Sequence, residues 1–155
     1  MNQYLKLALC LLLTLSVGAV AGIATATSIT SWYVMLNKPS FNPPNYLFGP
    51  VWTVLYILMG FSFYLILQAA TNENRRKSIF IFSIQLFLNF CWSFLFFKFH
   101  LLGFALIEII VIWLFIVWMI VQFKKTNKLA AYLQLPYLAW VSFATLLNAS
   151  IWWSN

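Results

Sequence analysis

The chain has 155 residues, of which 64% are hydrophobic and only 7% are charged, and its formal net charge is +7. Water-soluble domains carry roughly 25% charged residues and about half apolar ones, so the composition excludes a soluble domain and predicts an integral membrane protein. The positive charge is not a nucleic-acid signature and no nucleic-acid partner is expected, because the basic residues cluster in turns, where the positive-inside rule predicts them.

Five apolar runs predict five membrane-spanning helices, at residues 5–27, 46–69, 78–97, 103–123 and 129–152. Each run is close to the roughly 20 residues that a helix needs to cross about 30 Å of hydrocarbon. A membrane β-barrel would instead show short segments of alternating hydrophobicity. The sequence therefore predicts an all-α membrane protein, a five-transmembrane-helix bundle that forms a single domain over residues 1–155.

The first run has two interpretations. Lys6 precedes the apolar core of this run and Ala19-Val20-Ala21 resembles a cleavage site, as in a secretory signal peptide, but the apolar character continues to about Ala26 and favours a full span. Gly18, Gly22 and Ala26 follow one another at intervals of four and would let another helix approach closely. That helix can belong to the same chain or to a second copy, and we favour the same chain.

The segment between the first two runs, residues 28–45, is predicted to be an ordered lid over a cavity between the helices. The stretch from Trp32 to Trp52 holds four of the five prolines and six aromatic residues. Prolines remove backbone donors and keep the preceding residue out of the helical region, which stiffens the segment. A connection that only joined two spans would be shorter and would contain fewer prolines and aromatic residues.

The distribution of basic residues predicts the orientation. Five spans place the termini on opposite sides, with two basic residues, Lys38 and Lys98, on the lid side. Seven others lie on the opposite side: Lys6, Arg75, Arg76, Lys77, Lys124, Lys125 and Lys128. The positive-inside rule then predicts a cytoplasmic N-terminus, with the lid and the C-terminus on the other side, and we expect a bacterial inner (cytoplasmic) membrane.

Aromatic and amide side chains recur on the inward faces of three predicted spans. Asn89 and Trp92 share a face of the third span, and the fifth span repeats Trp140, Ala144, Asn148 and Trp152 at intervals of four. An amide in lipid needs a partner, so both asparagines should point inward. With Trp52 and Tyr56 of the second span, these side chains would line one cavity with flat rings. The alternative is ordinary aromatic packing.

The chain has only two carboxylates. Glu73 lies in a basic turn and is expected to be solvated, whereas Glu108 lies inside the fourth span. An ionisable group there is costly unless it faces the bundle or is protonated. Two roles stay open for Glu108: a hydrogen bond to a neighbouring helix that fixes packing, or a part in binding a ligand or a proton.

No conventional catalytic or metal-binding pattern is present in the sequence. Cys10 and Cys91 fall in apolar runs and are expected to pack as buried thiols, and His100 is the only histidine. There is no histidine base beside a nucleophile, no glycine-rich phosphate loop and no carboxylate pair. Hydrolysis and phosphoryl transfer are therefore not expected, no metal site is predicted, and an enzymatic activity is not favoured.

Several motifs in the chain resemble a known family. They are Trp32-Tyr33, Lys38-Pro39-Ser40-Phe41, Pro43-Pro44, Phe48-Gly49-Pro50-Val51-Trp52, Leu88-Asn89-Phe90-Cys91-Trp92-Ser93, Pro136-Tyr137-Leu138-Ala139-Trp140 and Phe143-Ala144-Thr145-Leu146-Leu147-Asn148. In this order they resemble the signature of the TspO/MBR or translocator-protein family, also called tryptophan-rich sensory proteins and peripheral-type benzodiazepine receptors. The likeness runs from about Gly18 to the last residue.

The resemblance implies a five-helix bundle, often dimeric, whose ligand pocket is closed by the first loop. Family members bind porphyrins such as protoporphyrin IX and haem, and many bind cholesterol and synthetic drugs. The implied function is tetrapyrrole transport, or sensing and stress regulation. Two alternatives are a light- and oxygen-dependent porphyrin-degrading enzyme and a lipid- or sterol-binding membrane scaffold. Porphyrin or haem would be a ligand and no cofactor is obligatory; membrane lipid and a second copy of the chain are the other implied partners.

The resemblance also implies ligand-binding residues. Pocket positions fall on Trp52, Asn89, Trp92, Trp140, Ala144 and Leu147, beside the Tyr56 and Asn148 already singled out, while Tyr33, Pro43 and Pro44 would cover them. Trp52 and Trp140 match tryptophans linked to porphyrin photochemistry, and Glu108 falls where related sequences often carry Asp or Glu. Planar macrocycles stack on indoles, and Lys38 with the lid amides is expected to supply donors for the propionates.

The chain departs from the family pattern in two places. The sterol motif needs an aromatic residue and then a base after Leu147-Asn148, whereas this chain continues Ala-Ser-Ile-Trp-Trp-Ser-Asn, so cholesterol is not favoured as its natural ligand. Lys128, Tyr132 and Leu135 form a reversed version of that motif, and both versions are weak patterns. Bacterial dimers pack through the third helix, often with small residues. The third span has serines but no glycine, which leaves a dimer by that route open.

Overall fold

The computed structural model describes residues 2–155, and all regular structure in that part of the chain is helical. The helices are α1 (Gln3–Ile29), α2 (Phe48–Gln68), α3 (Glu73–Ser93), α4 (Leu102–Thr126), α5 (Lys128–Tyr132) and α6 (Leu135–Ser154), with 3-10 turns at Tyr33–Met35 and Asn45–Leu47 and a π-helical turn at Phe94–Lys98. Five stretches within residues 2–155 are long and apolar enough to cross a membrane: Gln3–Ile29, Asn45–Gln68, Glu73–Lys98, Leu102–Thr126 and Lys128–Ser154. The predicted all-α, five-helix transmembrane fold is confirmed.

The third span begins earlier than the predicted residue 78. The Asn72 side chain caps the helix by accepting a hydrogen bond from the Arg75 backbone N–H at 2.9 Å. One turn later Lys77 pairs with Glu73 at 2.6 Å between Nζ and Oε1. An Asn cap satisfies a backbone donor that has no partner within the helix, so the polar residues expected to form a turn become the first turns of α3.

The fifth span is built from two helical segments and not from one continuous helix. After α5 ends at Tyr132, Leu133 and Gln134 turn the chain, and Pro136 lies in the first turn of α6. Proline lacks a backbone N–H and is tolerated where a helix begins, which explains why α6 starts here. Beyond the break, Tyr137 of α6 packs against Trp52 of α2, with 6.3 Å between the ring centroids.

Helices α1 and α2 pack closely in the half of the bundle away from the lid. A Cβ added at Gly60 would lie 2.6 Å from Thr14 Oγ1, and one added at Gly18 would lie 2.4 Å from the Tyr56 ring. Thr14 Oγ1 donates a hydrogen bond to the Tyr56 carbonyl oxygen at 2.8 Å. Gly18 therefore serves packing within the chain, as favoured from the sequence, whereas Gly22 and Ala26 are exposed and a Cβ added at Gly22 would meet no heavy atom within 4 Å.

The π-helical turn at the end of α3 shapes the lid side of the bundle. Phe99 N–H donates to Phe94 O at 2.8 Å, five residues back, so the turn holds one residue more than an α-helical turn. This wider turn allows the neighbouring Phe96 and Phe97 side chains both to be buried. Ser28 at the end of α1 donates to the Phe97 carbonyl oxygen at 2.5 Å, which ties α1 to this turn.

The two cysteines have different environments. Cys10 is buried, as expected, whereas Cys91 is only partly buried, and both are free thiols. Within residues 2–155 no three His, Cys, Asp or Glu side chains lie close enough together to hold a metal ion.

Candidate ligand-binding cavity

A cavity of about 510 Å³ lies in the lid-side half of the bundle, between α1, α2, the end of α3 and α6. This volume lies within the range of pockets that hold small organic molecules. The lining residues come mainly from α1, the N-terminal half of α2, the end of α3 with the π-helical turn, and the middle of α6, and two come from the 3-10 turns of the lid and before α2. They are Leu15, Gly18, Ala19, Ala21, Gly22, Thr25, Ala26, Ile29, Tyr33, Asn45, Phe48, Gly49, Trp52, Thr53, Tyr56, Trp92, Ser93, Phe96, Phe97, Trp140, Ala144, Leu147 and Asn148.

Eight of the residues singled out from the sequence line this cavity together: Tyr33, Trp52, Tyr56, Trp92, Trp140, Ala144, Leu147 and Asn148. Trp52 and Tyr56 are one helical turn apart on α2, and their ring centroids lie 5.7 Å apart. Trp140 faces them from α6 and contacts Phe48 edge-on at 6.2 Å between centroids. The helical spacing of these residues places their rings on one wall because positions four apart share a face.

Tyr33 closes the cavity from the lid. Its side chain is 1% exposed and packs between Phe48, Phe96 and Phe97. The phenol oxygen donates a hydrogen bond to Asn42 Oδ1 at 2.6 Å, which joins the two halves of the lid. Burial raises the pKa of the Tyr33 phenol to about 12.

Lys38 lies outside the cavity lining and folds the lid itself. Its ammonium donates to the backbone carbonyl oxygens of Tyr33 at 2.8 Å, Leu36 at 2.9 Å and Val34 at 3.3 Å. The Nζ atom also lies 5.1 Å from the centre of the Tyr33 ring. All three ammonium donors are thus engaged with the lid turn, so in this conformation Lys38 has none left for a ligand carboxylate.

Pro43 and Pro44 also lie outside the cavity lining. Pro43 O accepts a hydrogen bond from Asn42 Nδ2 at 3.1 Å, and Pro44 O accepts from Leu47 N–H at 3.0 Å at the start of the turn that leads into α2. The two prolines therefore shape the path of the lid, and Tyr33 is the lid residue that reaches the cavity.

Sequence reasoning missed the attachment of the lid to the end of α6. Asn37 N–H donates to Asn155 Oδ1 at 2.9 Å, and Asn155 Nδ2 donates to the Asn37 carbonyl oxygen at 2.9 Å. Asn37 Nδ2 also donates to Ser154 O at 3.2 Å. No local signal could have found this pair, because the partners are 118 positions apart and neither belongs to a periodic pattern.

Asn89 lies beneath the cavity and does not line it. Tyr56 Oη donates to Asn89 Oδ1 at 2.5 Å, and Asn89 Nδ2 donates to Tyr137 Oη at 2.8 Å. Tyr137 Oη in turn donates to Gln85 Oε1 at 3.0 Å. All four side chains are buried, so this chain of hydrogen bonds supports the base of the cavity through Tyr56. Gln85 was not singled out from the sequence, although it lies one turn before Asn89 on the same face.

Asn148 lines the cavity, but both ends of its amide hold neighbouring helices. Its Oδ1 accepts a hydrogen bond from Trp92 Nε1 at 3.3 Å, and its Nδ2 donates to the Leu102 carbonyl oxygen at 3.1 Å. This arrangement joins α3, α4 and α6 and sets the orientation of the Trp92 ring. The inward direction predicted for both asparagines is therefore observed.

Glu108 lies on α4, which contributes no residue to the cavity lining. The side chain is half-buried, and its buried Oε2 has no hydrogen-bond partner among the described residues. Of the two roles that the sequence left open for this carboxylate, the packing hydrogen bond is not seen at Oε2. A role in binding a ligand or a proton stays a prediction.

The cavity lining carries no charged residue. Its polar groups are hydroxyls and amides, and Trp140 Nε1 is a buried donor without a partner among the described residues. The lining residues that sequence reasoning did not assign to the cavity are mainly those of α1, where Gly18, Gly22 and Ala26 were interpreted only as a packing face. Such a site suits a flat, apolar molecule with few polar groups.

Comparison with known proteins agrees with these features. The profile of the TspO/MBR family matches residues 10–153. The chain belongs to the TspO/MBR family. Among its TspO/MBR relatives, "Tryptophan-rich protein TspO" of Chlorobaculum tepidum is 41% identical over 151 residues, which cover 97% of this chain and 96% of that protein.

Two further TspO/MBR relatives come from other domains of life. "Tryptophan-rich protein TspO" of Archaeoglobus fulgidus is 40% identical over 152 residues, covering 97% of each chain. The "Translocator protein" of Homo sapiens is 36% identical over 126 residues, which cover 80% of this chain and 75% of the human protein. The resemblance inferred from the tryptophan and proline motifs is confirmed, and the TspO/MBR fold extends over nearly the whole chain.

Proposed function

We propose that this membrane protein binds tetrapyrroles such as protoporphyrin IX and haem, and other planar hydrophobic ligands, in the cavity between its helices, for transport or for sensing and stress regulation. One observation carries the proposal: the indoles of Trp52, Trp92 and Trp140 face a single apolar cavity that Tyr33 closes from the lid. Flat aromatic walls favour flat aromatic ligands, because stacked and edge-on ring contacts add to the burial of apolar surface.

The polar groups restrict how a porphyrin would lie. No lining residue is charged, so the macrocycle would occupy the cavity with its propionates directed toward the surface. No lining residue is a histidine either, and His100, which stacks on Trp32 with 3.9 Å between ring centroids, is exposed at the lid. Haem would therefore be held by ring contacts and not by a histidine ligand from the cavity wall.

A titration with protoporphyrin IX tests this proposal. In vesicles that contain the purified protein, the porphyrin should quench tryptophan fluorescence, and a Trp52→Phe, Trp140→Phe double variant should bind it at least about tenfold more weakly. Trp153→Phe is the matched control, because that side chain is 85% exposed and outside the cavity. Equal affinity in the double variant and the wild type would refute binding in this cavity.

A second candidate function is light- and oxygen-dependent degradation of the bound porphyrin. It is favoured by Trp52 and Trp140, two oxidisable indoles that face the same cavity. Illumination of the complex in the presence of dioxygen should then bleach bound pigment faster than free pigment and give a defined product. The reaction should stop when dioxygen is removed. Equal bleaching of free and bound pigment would leave binding as the only activity.

A third candidate is a scaffold whose cavity holds membrane lipid or a sterol, which the apolar lining also suits. Mass spectrometry of the gently purified protein would distinguish it, since lipid without pigment is expected only in this case.

For the orientation we propose that the lid and the C-terminus face away from the cytoplasm in a cytoplasmic membrane. Seven of the nine basic residues belong to the end opposite the lid. Association with a second copy of the chain stays a prediction, with the route through α3 left open, and the mass of the purified protein in detergent would test that association.

A further inference from the structure

We propose that ligands enter the cavity sideways from the surrounding lipid, through a cleft between α1 and α2, and not from beneath the lid. The α1–α2 cleft is bordered by Ala19, Gly22 and Ala26 on α1 and by Gly49 and Thr53 on α2. This inference rests on the proposed function, that the cavity binds a hydrophobic ligand, and adds the route and the physical class of that ligand.

The glycines of α1 and α2 have close neighbours at one end of the helix pair and open space at the other. Away from the lid, Gly60 meets Thr14 and Gly18 meets Tyr56 so closely that an added Cβ would clash at both glycines. One turn beyond Gly18, a Cβ added at Gly22 would meet no heavy atom within 4 Å, and the same is true of Gly49 on the facing end of α2. On the lid side, open space therefore lies beside both glycines, which line the cavity from α1 and α2.

The residues that border the cleft line the cavity and are also exposed on the surface of the bundle. Ala19, Gly22, Ala26, Gly49 and Thr53 are all exposed, and all five line the cavity. They lie within Gln3–Ile29 and Asn45–Gln68, two stretches that are long and apolar enough to cross a membrane, so a bilayer around these stretches would place lipid outside the cleft. The cavity is thus continuous with the lipid-facing surface of the bundle.

The lid side of the cavity, in contrast to the α1–α2 cleft, is closed. Tyr33 is buried over the cavity, and Asn37 is held by two hydrogen bonds to Asn155. Trp32 stacks on His100 with an angle of 12° between the rings, which fixes the start of the lid against the turn before α4. Entry from water would require these contacts to break, whereas entry through the cleft requires none of them to change.

The borders of the cleft indicate what can pass. None of the five side chains is larger than threonine, and Thr53 Oγ1 donates to Gly49 O at 2.9 Å within its own helix, so its hydroxyl proton is already engaged. A narrow, apolar opening of this kind admits a flat molecule edge-on. It has no polar partner that would compensate a charged group for the loss of its hydration. The expected ligands are therefore membrane-dissolved amphiphiles with a planar, uncharged body.

The first experiment measures porphyrin exchange in vesicles that contain the full chain. Gly22→Leu and Gly49→Leu each place a side chain in open space at the cleft, from opposite helices. Both should slow association and dissociation of lipid-dissolved protoporphyrin IX by about tenfold with a nearly unchanged dissociation constant, because a barrier on the route changes both rates alike. Val20→Leu is the control, since Val20 is exposed on the same helix but does not line the cavity.

The second experiment needs no porphyrin and so separates this inference from the proposed function. A thiol is placed inside the cavity by Ala144→Cys, in a background that carries Cys10→Ala and Cys91→Ala. A lipid-soluble pyrene maleimide should label this thiol. Its labelling rate should fall about tenfold when Gly22→Leu is added to the same background. A charged, membrane-impermeant thiosulfonate should label it slowly in every variant, including Asn155→Ala.

The outcomes are distinct. Slower maleimide labelling with Gly22→Leu, and not with Val20→Leu, supports the lipid route even if porphyrin fails to bind, in which case only the proposed function is wrong. The inference is overturned if the charged reagent labels the cavity thiol as fast as the maleimide. It is also overturned if Asn155→Ala accelerates labelling or porphyrin exchange while both leucine variants leave the rates within about twofold of the wild type.

Discussion

Asn37 and Asn155 form a reciprocal pair, in which each residue donates one hydrogen bond to the other at 2.9 Å. The pair joins the middle of the lid to the last turn of α6. Both residues are exposed, so water competes for these groups and the net stabilisation is about 0.5–1.5 kcal/mol per hydrogen bond at most. Such a contact can hold a lid in place without making it part of the core.

Replacing Asn155 should loosen the lid and leave the bundle intact. In Asn155→Ala, amide hydrogen exchange in residues 30–44 is expected to accelerate by up to about tenfold. The reason is that the lid can open without first breaking the hydrogen bonds between Asn37 and Asn155. Mass spectrometry of the vesicle-embedded protein measures this exchange. Ser154→Ala is the control, since only the backbone carbonyl of Ser154 contacts Asn37. Equal exchange in the wild type and Asn155→Ala would show that the pair does not hold the lid.

Two glycines should respond in opposite ways to the same substitution. Gly60→Ala places a methyl group 2.6 Å from Thr14 Oγ1 and 3.0 Å from the backbone oxygen of Cys10, so it should destabilise the bundle by about 1–3 kcal/mol. Gly22→Ala meets open space and should be neutral or gain up to about 1 kcal/mol from helix propensity. Thermal unfolding in detergent compares the two. Similar unfolding temperatures for both variants would contradict the close packing of α1 against α2.

The hydrogen-bonded residues under the cavity should matter for stability more than for binding. Asn89→Leu leaves the buried Tyr56 hydroxyl without its partner, at a cost of roughly 1–3 kcal/mol, and removes one of the two hydrogen bonds of the Tyr137 hydroxyl, which still donates to Gln85. The variant should therefore unfold at a lower temperature in detergent. Tyr132→Phe is the control, because that side chain is 52% exposed. An unfolding temperature equal to that of the wild type would argue that Asn89 has no supporting role.

Glu108 provides a test of its own, because the carboxylate lies in a spanning helix but outside the cavity. Glu108→Leu should raise the free energy of unfolding by about 0.5–2 kcal/mol, since it removes a costly polar group whose buried Oε2 has no partner among the described residues. Porphyrin affinity should stay within about twofold of the wild type, as it should in the conservative Glu108→Gln. A large loss of affinity in both variants would instead assign Glu108 to ligand binding.

The Tyr33 phenol should ionise late in a pH titration. Its pKa of about 12 lies above the ordinary value of about 10, so the folded lid favours the neutral phenol. The resulting stabilisation is complete below about pH 10 and is lost as the pH rises through about 12. The tyrosinate absorbance of the wild type minus that of Tyr33→Phe gives the titration of this group. A midpoint at the ordinary value would show that the Tyr33 phenol is not buried between the lid and the helices.

Much of the fold and part of the cavity follow from patterns that are local in the chain. Backbone groups in lipid must pair within their own segment, so a long apolar run is enough to predict a spanning helix. In the same way, Trp52 and Tyr56 are one turn apart, as are Trp140 and Ala144, and residues at that spacing share a face in any helix. These sets could be recognised before their neighbours in space were known.

Other features depend on how distant segments meet. Lys38 was expected to serve the ligand, but its ammonium donates to carbonyl oxygens of the lid turn, because the chain bends back on itself there. No short stretch of residues predicts the attachment of Asn37 to Asn155 or the opening between Gly22 and Gly49. Hydropathy and helical spacing are properties of one segment at a time, whereas contacts and gaps depend on the angle and distance between two segments. Packing alone sets those quantities in the folded chain.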